Sequence, residues 1–267
     1  MIPYPEINPV AIAVGPLQVH WYGIAYLASF ILVWRLGVVR TKQSWSPVTK
    51  QQIEDLVFYC AMGVILGGRF GYVFFYQFER FLSEPLWLFK IWEGGMSFHG
   101  GFLGVLFAAM WFARKNGIRF FHLTDFIAPV VPVGLFLGRL GNFIGQELWG
   151  RPTDGWWGMV FPADELQIPR HPSQLYEAAL EGIVLFAILW WVSRKERPVG
   201  VISGMFLVGY GFFRFLVEFA REPDAHLAAD LLFDWMTRGQ LLCMPMMMAG
   251  TTITILSIKR GKKDRKA

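Results

Sequence analysis

"GLFLGRLGNFIGQELWGR", residues 134–151, opens as an apolar helix and then sets Arg139 and Asn142 one helical turn apart on the same face. Gln146, Glu147 and Arg151 follow. Whether that arginine is costly depends on where the run lies, and the composition answers this. Of 267 residues, 54% are hydrophobic, 17% aromatic and only 17% charged, whereas soluble domains carry charge on about a quarter of their residues. The apolar residues gather in runs of roughly 18–22, the length that crosses about 30 Å of hydrocarbon. These features exclude an ordinary soluble domain and predict an all-α polytopic membrane protein. An ionisable group in such a run costs about 2.5–3.5 kcal/mol on insertion scales, so it faces protein or a water-filled cavity.

The hydrophobic pattern predicts about seven transmembrane helices, near residues 20–39, 55–76, 95–113, 123–144, 176–192, 199–219 and 239–258. The third, fourth and fifth are interrupted by glycine, proline or acidic residues. Basic residues set the orientation. The segments after the odd-numbered spans hold Arg40, Lys42 and Lys50, then Arg114, Lys115 and Arg119, then Arg194, Lys195 and Arg197, then six in the tail. The opposite side holds only Arg80, Lys90, Arg151, Arg170, Arg221 and Arg238. The N-terminus is therefore expected outside, in the periplasm, and the C-terminus in the cytoplasm. An odd number of spans requires the same.

One integral membrane domain is expected over 1–267, with a small periplasmic subdomain at about 145–175, rich in Trp and Pro. The basic tail "KRGKKDRKA" (259–267) beside a membrane helix suits an anionic lipid surface rather than nucleic acid. Cys60 and Cys243 lie in apolar runs without pairing or metal-ligand spacing and read as small hydrophobes. The first residues, "MIPYPEINPVAIAVGPLQ", lack a basic region and a cleavage site, so an irregular or interfacial lead-in is expected rather than a signal peptide.

This topology assigns a depth to each polar residue. His20 and Tyr22 begin span one outside, Arg69 lies in the outer half of span two, and His99 near the outer end of span three. Arg139 and Asn142 end span four, Glu177 and Glu181 begin span five, and Arg214 and Glu218 lie toward the outer end of span six. Six spans thus bring ionisable residues to one leaflet. Arg214 and Glu218, four apart, could simply neutralise each other, and Glu177 and Glu181 could pair with any of the arginines. Arg35, near the inner end of span one, can snorkel to the cytoplasmic interface. Glycines surround the cluster. Pairs such as Gly63/Gly67 and Gly134/Gly138 allow close helix approach, and glycines beside Arg69, His99 and Arg139 also leave room for a bulky ligand. Pro129 and Pro132 are expected to kink span four.

A guanidinium is a rigid fork suited to phosphate, so two or three at headgroup depth point to a phospholipid. His99 could serve as a general base near neutral pH. No metal set is evident: there is no H-E-x-x-H, and His20, His99 and His171 are scattered. No P-loop or G-x-S-x-G elbow occurs. The residues alone therefore lead to a metal-independent phospholipid-handling protein with its site in the outer leaflet. They leave open an enzyme, a transporter and a lipid-binding scaffold.

"GRLGNFIGQELWG" (138–150) resembles the signature of the bacterial prolipoprotein diacylglyceryl transferases. "HWYG" (20–23), "GGRFGYVFFY" (67–76), "GGMSFHGG" (94–101), "RHPSQLYE" (170–177) and "GYGFFRFLVEFAREPD" (209–224) are similar to the same family in the same order. Gly145 departs from the pattern, which usually has Asn there. The resemblance implies transfer of a diacylglyceryl group from phosphatidylglycerol to the lipobox cysteine thiol in the signal peptide of a preprolipoprotein. Glycerol phosphate would leave, without cofactor or metal, in the bacterial inner membrane with the site toward the periplasmic leaflet. It implies that Arg139 holds the lipid phosphate, Arg214 stabilises the leaving phosphate or positions the second substrate, and His99 acts as base. Tyr22, Asn142 and Gly150 match residues important in the family, and Glu147 and Glu218 would orient the arginines or the headgroup, with Arg69 a further substrate contact. The nucleophile belongs to the substrate, so neither Cys60 nor Cys243 is needed.

Overall fold

The computed structural model describes residues 1–15, 17–222 and 236–264. Within them a short strand β1 (Ile2–Pro3) and a hairpin, β2 (Val10–Val14) and β3 (Leu17–His20), lead into α1 (Trp21–Arg40). Helices α2 (Lys50–Tyr76), α3 (Phe78–Ser83), α4 (Phe98–Lys115), α5 (Phe120–Ile127) and α6 (Val131–Ile144) follow, with 3-10 turns at Pro85–Phe89 and Ile91–Glu93. Strands β4 (Met159–Val160) and β5 (Pro169–Arg170) precede α7 (Ser173–Glu177). A π-helical segment, Ala178–Val184, continues it into α8 (Leu185–Val192), and α9 (Val201–Val217) and α10 (Arg238–Asp264) complete the order. The chain divides into two compact units, residues 1–33 with 127–267, and residues 34–126.

Every expected span coincides with helix, but not all are equal. Among the described residues, four helices are long and apolar enough to cross a membrane: Trp21–Arg40, Lys50–Tyr76, Ser173–Val192 and Arg238–Lys263. A fifth is reached if α5 and α6, bent by 49° at their break, count as one span. That break holds Pro129, and Pro132 opens α6. Proline lacks the N–H of the helical ladder, which is why the expected kink falls there. Helix α4 is less apolar because His99, three glycines and the terminal Arg114–Lys115 fall within its 18 residues. Helix α9 has only 17 residues. Large apolar side chains such as Phe75, Leu103, Phe107, Leu242 and Met248 point outward, as expected where the surroundings are hydrocarbon rather than water.

In the unit of residues 34–126, α2 begins with a capping box in which Thr49 and Gln52 satisfy each other's backbone N–H groups. Its glycine face lies directly on α4. A Cβ on Gly63 would come within 2.6 Å of the Gly104 carbonyl oxygen, and one on Gly71 within 2.7 Å of the Gly100 Cα. Without a hydrophobic drive between helices in lipid, such backbone contact gives the dispersion that holds them together. Gly134 and Gly138 on α6 differ: no heavy atom of the described residues lies within 4 Å of where their Cβ would be. The expectation of close helix approach holds for the first pair and is corrected for the second.

In the other unit, Ala128, Leu185, Leu189 and Ile202 form one buried cluster. Tyr4, Phe143, Met159 and Phe161 form another, where the segment between α6 and α7 folds back on the N-terminus. The Tyr4 hydroxyl donates to the Phe143 carbonyl at 2.9 Å, capping the end of α6. Strand β4 runs parallel to β1 and antiparallel to β5, so residues 145–172 and the chain start share a small three-stranded sheet. The lead-in is mixed: Ile2–Pro3 and Val10–Val14 are strand with named partners, and residues 4–9 between them are irregular as expected.

Candidate active site

Helix α6 carries Arg139 and Asn142 on one face, and Arg139 Nη1 donates to Asn142 Oδ1 at 3.4 Å. Asn142 Nδ2 donates onward to Glu147 Oε2, also at 3.4 Å. Between Asn142 and Glu147 the helix ends in a tight elbow. Gln146 (φ 53°) and Leu148 (φ 58°), on either side of Glu147, both lie in the left-handed region. For residues with a Cβ this backbone costs on the order of 1 kcal/mol or more and persists only where the surroundings enforce it. Here they do. Gln174 Nε2 donates to the Glu147 carbonyl at 2.6 Å, Ser173 Oγ donates to the Leu148 carbonyl at 3.0 Å, and Gln146 Oε1 accepts from the Ala163 N–H at 2.8 Å. Gly145, the departure from the family pattern, has an ordinary right-handed helical backbone (φ −72°, ψ −5°).

The same α7 that holds the elbow delivers Glu177. Its carboxylate is a hub for three guanidiniums. Arg139 Nε lies 2.5 Å from Oε2, while Arg214 Nη1 and Arg221 Nη1 each lie 3.5 Å from Oε1. Arg214 Nη2 also pairs with Glu218 Oε2 at 2.8 Å. One turn beyond Glu177, in the π segment, Glu181 Oε2 sits 4.0 Å from Arg139 Nη2. π segments are rare and recur at functional sites. This one stacks the two carboxyls on the Arg139 side of the helix.

Burial within the set is asymmetric. The Glu177 and Glu181 side chains are 0% exposed and Glu218 6%, but Arg139 keeps 19%, Arg214 15% and Arg221 11%. The carboxylates back the cluster and the guanidiniums form its accessible face. A partly exposed guanidinium backed by a buried carboxylate, as at Arg139 and Arg214, is a chemistry that can receive a phosphate.

Tyr22 packs its ring on α6, where a Cβ on Gly141 would lie 2.8 Å from Tyr22 Cδ2. The Tyr22 and Tyr26 hydroxyl oxygens are 3.2 Å apart. Gly150 lies in an irregular ladder. Its N–H donates to the His171 carbonyl at 2.8 Å, it pairs with Arg221, and the Arg151 N–H donates to the Ala220 carbonyl at 2.9 Å. A Cβ there would strike His171 and the Ala220 carbonyl. Glycine thus lets the segment after α9 come close enough for Arg221 to reach Glu177.

Behind this ladder Arg170 is buried. It donates twice to Asp164, at 2.6 and 3.2 Å, and to Glu222. The guanidinium holds the Asp164 carboxyl below the usual range. His171 is pushed below its ordinary value by burial, and its Nδ1 lies 3.2 Å from the Tyr176 hydroxyl.

Arg69 and His99 belong to the other unit. Arg69 is buried and its guanidinium faces the backbone. It donates to the carbonyls of Leu88, Gly94, Gly95 and Trp87, at 2.9, 2.5, 3.3 and 2.6 Å, and stacks on the Trp87 ring. His99 is exposed on the first turn of α4, after the Ser97 cap that accepts the Gly100 N–H. Among the described residues no group of three or more His, Cys, Asp or Glu is arranged to hold a metal ion.

A sequence profile described as Prolipoprotein diacylglyceryl transferase matches residues 9–256. The chain belongs to the prolipoprotein diacylglyceryl transferase family. It is 56% identical to a phosphatidylglycerol–prolipoprotein diacylglyceryl transferase of Teredinibacter turnerae, over 100% of this chain and 96% of that one. It is 56% identical to the protein of the same name from Ectopseudomonas mendocina, over 97% of each chain. For one from Pseudomonas putida the identity is 54%, over 94% of each. The family's membership rests on full-length similarity, and the cluster of arginines falls inside the matched region.

Of the expected site residues, the structure brings together Arg139, Asn142, Glu147, Arg214 and Glu218, and adds Gly150 through the ladder that carries Arg221. Sequence reasoning counted Glu177 in the cluster as a possible partner of any of the arginines without giving it a role in the site, and did not count Arg221. Glu177 was visible as an acid at the start of a span and in "RHPSQLYE", but nothing local shows that one carboxylate serves three arginines. The last two residues of "GYGFFRFLVEFAREPD", Pro223 and Asp224, and the end of the tail, 265–267, lie outside the described residues.

Proposed function

We propose that this protein transfers the diacylglyceryl group of phosphatidylglycerol to the lipobox cysteine thiol of a preprolipoprotein signal peptide. The sulfur attacks the glyceryl carbon, a C–S bond forms, and the C–O bond to phosphate breaks with its electron pair leaving on glycerol phosphate. The observation that carries this reading is the accessible guanidinium face of Arg139 and Arg214, backed by buried carboxylates, in a chain similar to the family over its full length. A leaving phosphate gains charge in the transition state, and fixed donors aimed at that charge lower the barrier. Arg139 would hold the lipid phosphate and Arg214 the leaving oxygen. Asn142 and Glu147 would keep Arg139 aimed and contact the glycerol headgroup, and Tyr22 would border the lipid. His99 would take the thiol proton, since a thiol of pKa about 8.5 is mostly protonated at neutral pH. The carbonyl contacts of Arg69 support a role in holding the loop before α4 rather than touching substrate. The backbone contacts of Gly150 likewise support a positioning role.

The finer topology belongs to the same proposal. Seven membrane crossings, an external N-terminus, a cytoplasmic C-terminus and a site at the periplasmic leaflet of the inner membrane are supported by the charge asymmetry of the loops. Lys259, Arg260, Lys262 and Lys263 at the end of α10 would meet anionic lipid on the inner face.

Purified protein, phosphatidylglycerol labelled in its headgroup and in its acyl chains, and a lipobox peptide test the chemistry. The expected products are a diacylglyceryl thioether peptide and free glycerol phosphate; a transporter or a scaffold yields neither. Arg139→Ala and Arg214→Ala are expected to lower turnover by about 10²-fold or more each, the usual loss for one transition-state donor. Near-normal turnover by either variant overturns the phosphate clamp. In a pH–rate profile, His99→Gln should turn over more slowly than the parent; rates matching the parent across the range remove His99 as base.

A further inference from the structure

The start of α10 holds the oxygen of Glu218 that Arg214 does not. Thr237 Oγ1 lies 2.9 Å from Glu218 Oε1, while Glu218 Oε2 faces Arg214 Nη2 at 2.8 Å. The direction of the first bond follows from donor bookkeeping. Thr237 Oγ1 already accepts the Gln240 N–H at 3.2 Å, so its single hydroxyl proton is left for the carboxylate. The Thr237 N–H in turn donates to Gln240 Oε1 at 3.1 Å, closing a reciprocal capping box, Thr-x-x-Gln, at the head of a 27-residue helix. Gln240 Nε2 reaches the Phe215 carbonyl at 3.4 Å, one residue past Arg214 on α9. Gly239 completes the arrangement: a Cβ there would lie 2.6 Å from Glu218 Oε1 and 2.8 Å from its Cδ.

An arginine and a glutamate four apart on an exposed helix are mutually mobile and weakly coupled. Here the carboxylate is buried, hydrogen-bonded from outside its own helix, and set at the positive end of another. We infer that Thr237, Gly239 and Gln240 are positioning residues that seat Glu218 and thereby fix the aim of Arg214. This rests on the transfer reaction proposed above. The seat orients the donor that meets the leaving phosphate, so its loss is felt in the chemical step more than in lipid capture.

Steady-state transfer is measured on the purified full-length chain with labelled phosphatidylglycerol and lipobox peptide, for Thr237→Val, Thr237→Ser and Gly239→Ala. Thr237→Val and Gly239→Ala are expected to lower kcat about 10-fold or more, with KM for phosphatidylglycerol changed less than 3-fold. Thr237→Ser, which keeps the hydroxyl, should retain at least half the parental kcat. Parental kcat in Thr237→Val, or equal losses in the Val and Ser variants, overturns the inference while leaving the transfer reading intact. Absence of transfer by the parent protein overturns that reading instead. The seat is then decided by thermal denaturation of Thr237→Val, Glu218→Gln and the double variant: non-additive shifts support the coupling, and additive shifts refute it.

Discussion

At the residue scale the site is organised by a carboxylate rather than by an arginine. Arg139 and Arg214 were legible in the sequence because a charge inside an apolar run is anomalous by itself, and Asn142 because it lies one helical turn from Arg139 on the same face. Glu177 was not legible as a hub, because an acid at the start of a span reads equally well as the helix boundary. Its weight comes from three guanidiniums contributed by α6, α9 and the segment after α9, a convergence that only the fold supplies. Removing one partner of a buried ionic set costs about 3–5 kcal/mol, since the remaining charges stay buried without compensation. Glu177→Gln is therefore expected to lower the thermal midpoint in detergent substantially and to reduce transfer with it. Glu181→Gln is expected to be much milder. Its carboxyl oxygens accept no hydrogen bond among the described residues and stand no closer than 4.0 Å to Arg139. Equal destabilisation by the two variants would contradict the hub.

At the scale of elements, glycines show what periodicity can and cannot convey. Gly63/Gly67 and Gly134/Gly138 have the same spacing, yet the first pair meets α4 and the second faces open space. Spacing reports which residues share a face, not what lies opposite. The segment between α6 and α7 was legible as Trp- and Pro-rich but not as a small sheet, because two-residue strands carry no alternation to read.

That segment is expected to respond to pH in two separate steps. His171 has its folded pKa depressed by burial, so the unfolded segment binds the proton more readily. Its contribution to stability is complete above about pH 6.5 and declines as pH falls from there toward the folded value. Asp164 also has a depressed folded pKa, through Arg170. Its contribution is complete above about pH 4 and is lost only below that. The protection factors of residues 145–172, taken after correction for the intrinsic pH dependence of amide exchange, should thus fall first below about pH 6.5 and again below about 4. His171→Gln should remove the first step alone and Asp164→Asn the second alone. A single step common to all three proteins would refute the assignment.

For the whole molecule, the class of protein was legible from composition and the helix positions from hydropathy, because lipid demands the same apolar length of any crossing. The number of crossings was not, because two features of the helices weaken the signal. Prolines break the α5–α6 run just before Arg139, and glycines that let α2 and α4 touch lower the apolarity of α4. Sidedness is therefore best tested across one unambiguous span, Ser173–Val192. In a background with Cys60 and Cys243 replaced by alanine, Asp154→Cys, Glu196→Cys and Lys262→Cys each introduce one exposed thiol. The positive-inside asymmetry requires Asp154→Cys to react with a membrane-impermeant maleimide in intact spheroplasts. Glu196→Cys and Lys262→Cys should react only after permeabilisation. Labelling of positions 154 and 196 from the same side would mean that Ser173–Val192 does not cross. Reversed labelling of all three would turn the guanidinium face toward the cytoplasm, away from a secreted acceptor thiol. Only the expected pattern puts the backed arginines where a lipid headgroup and an emerging signal peptide can both reach them.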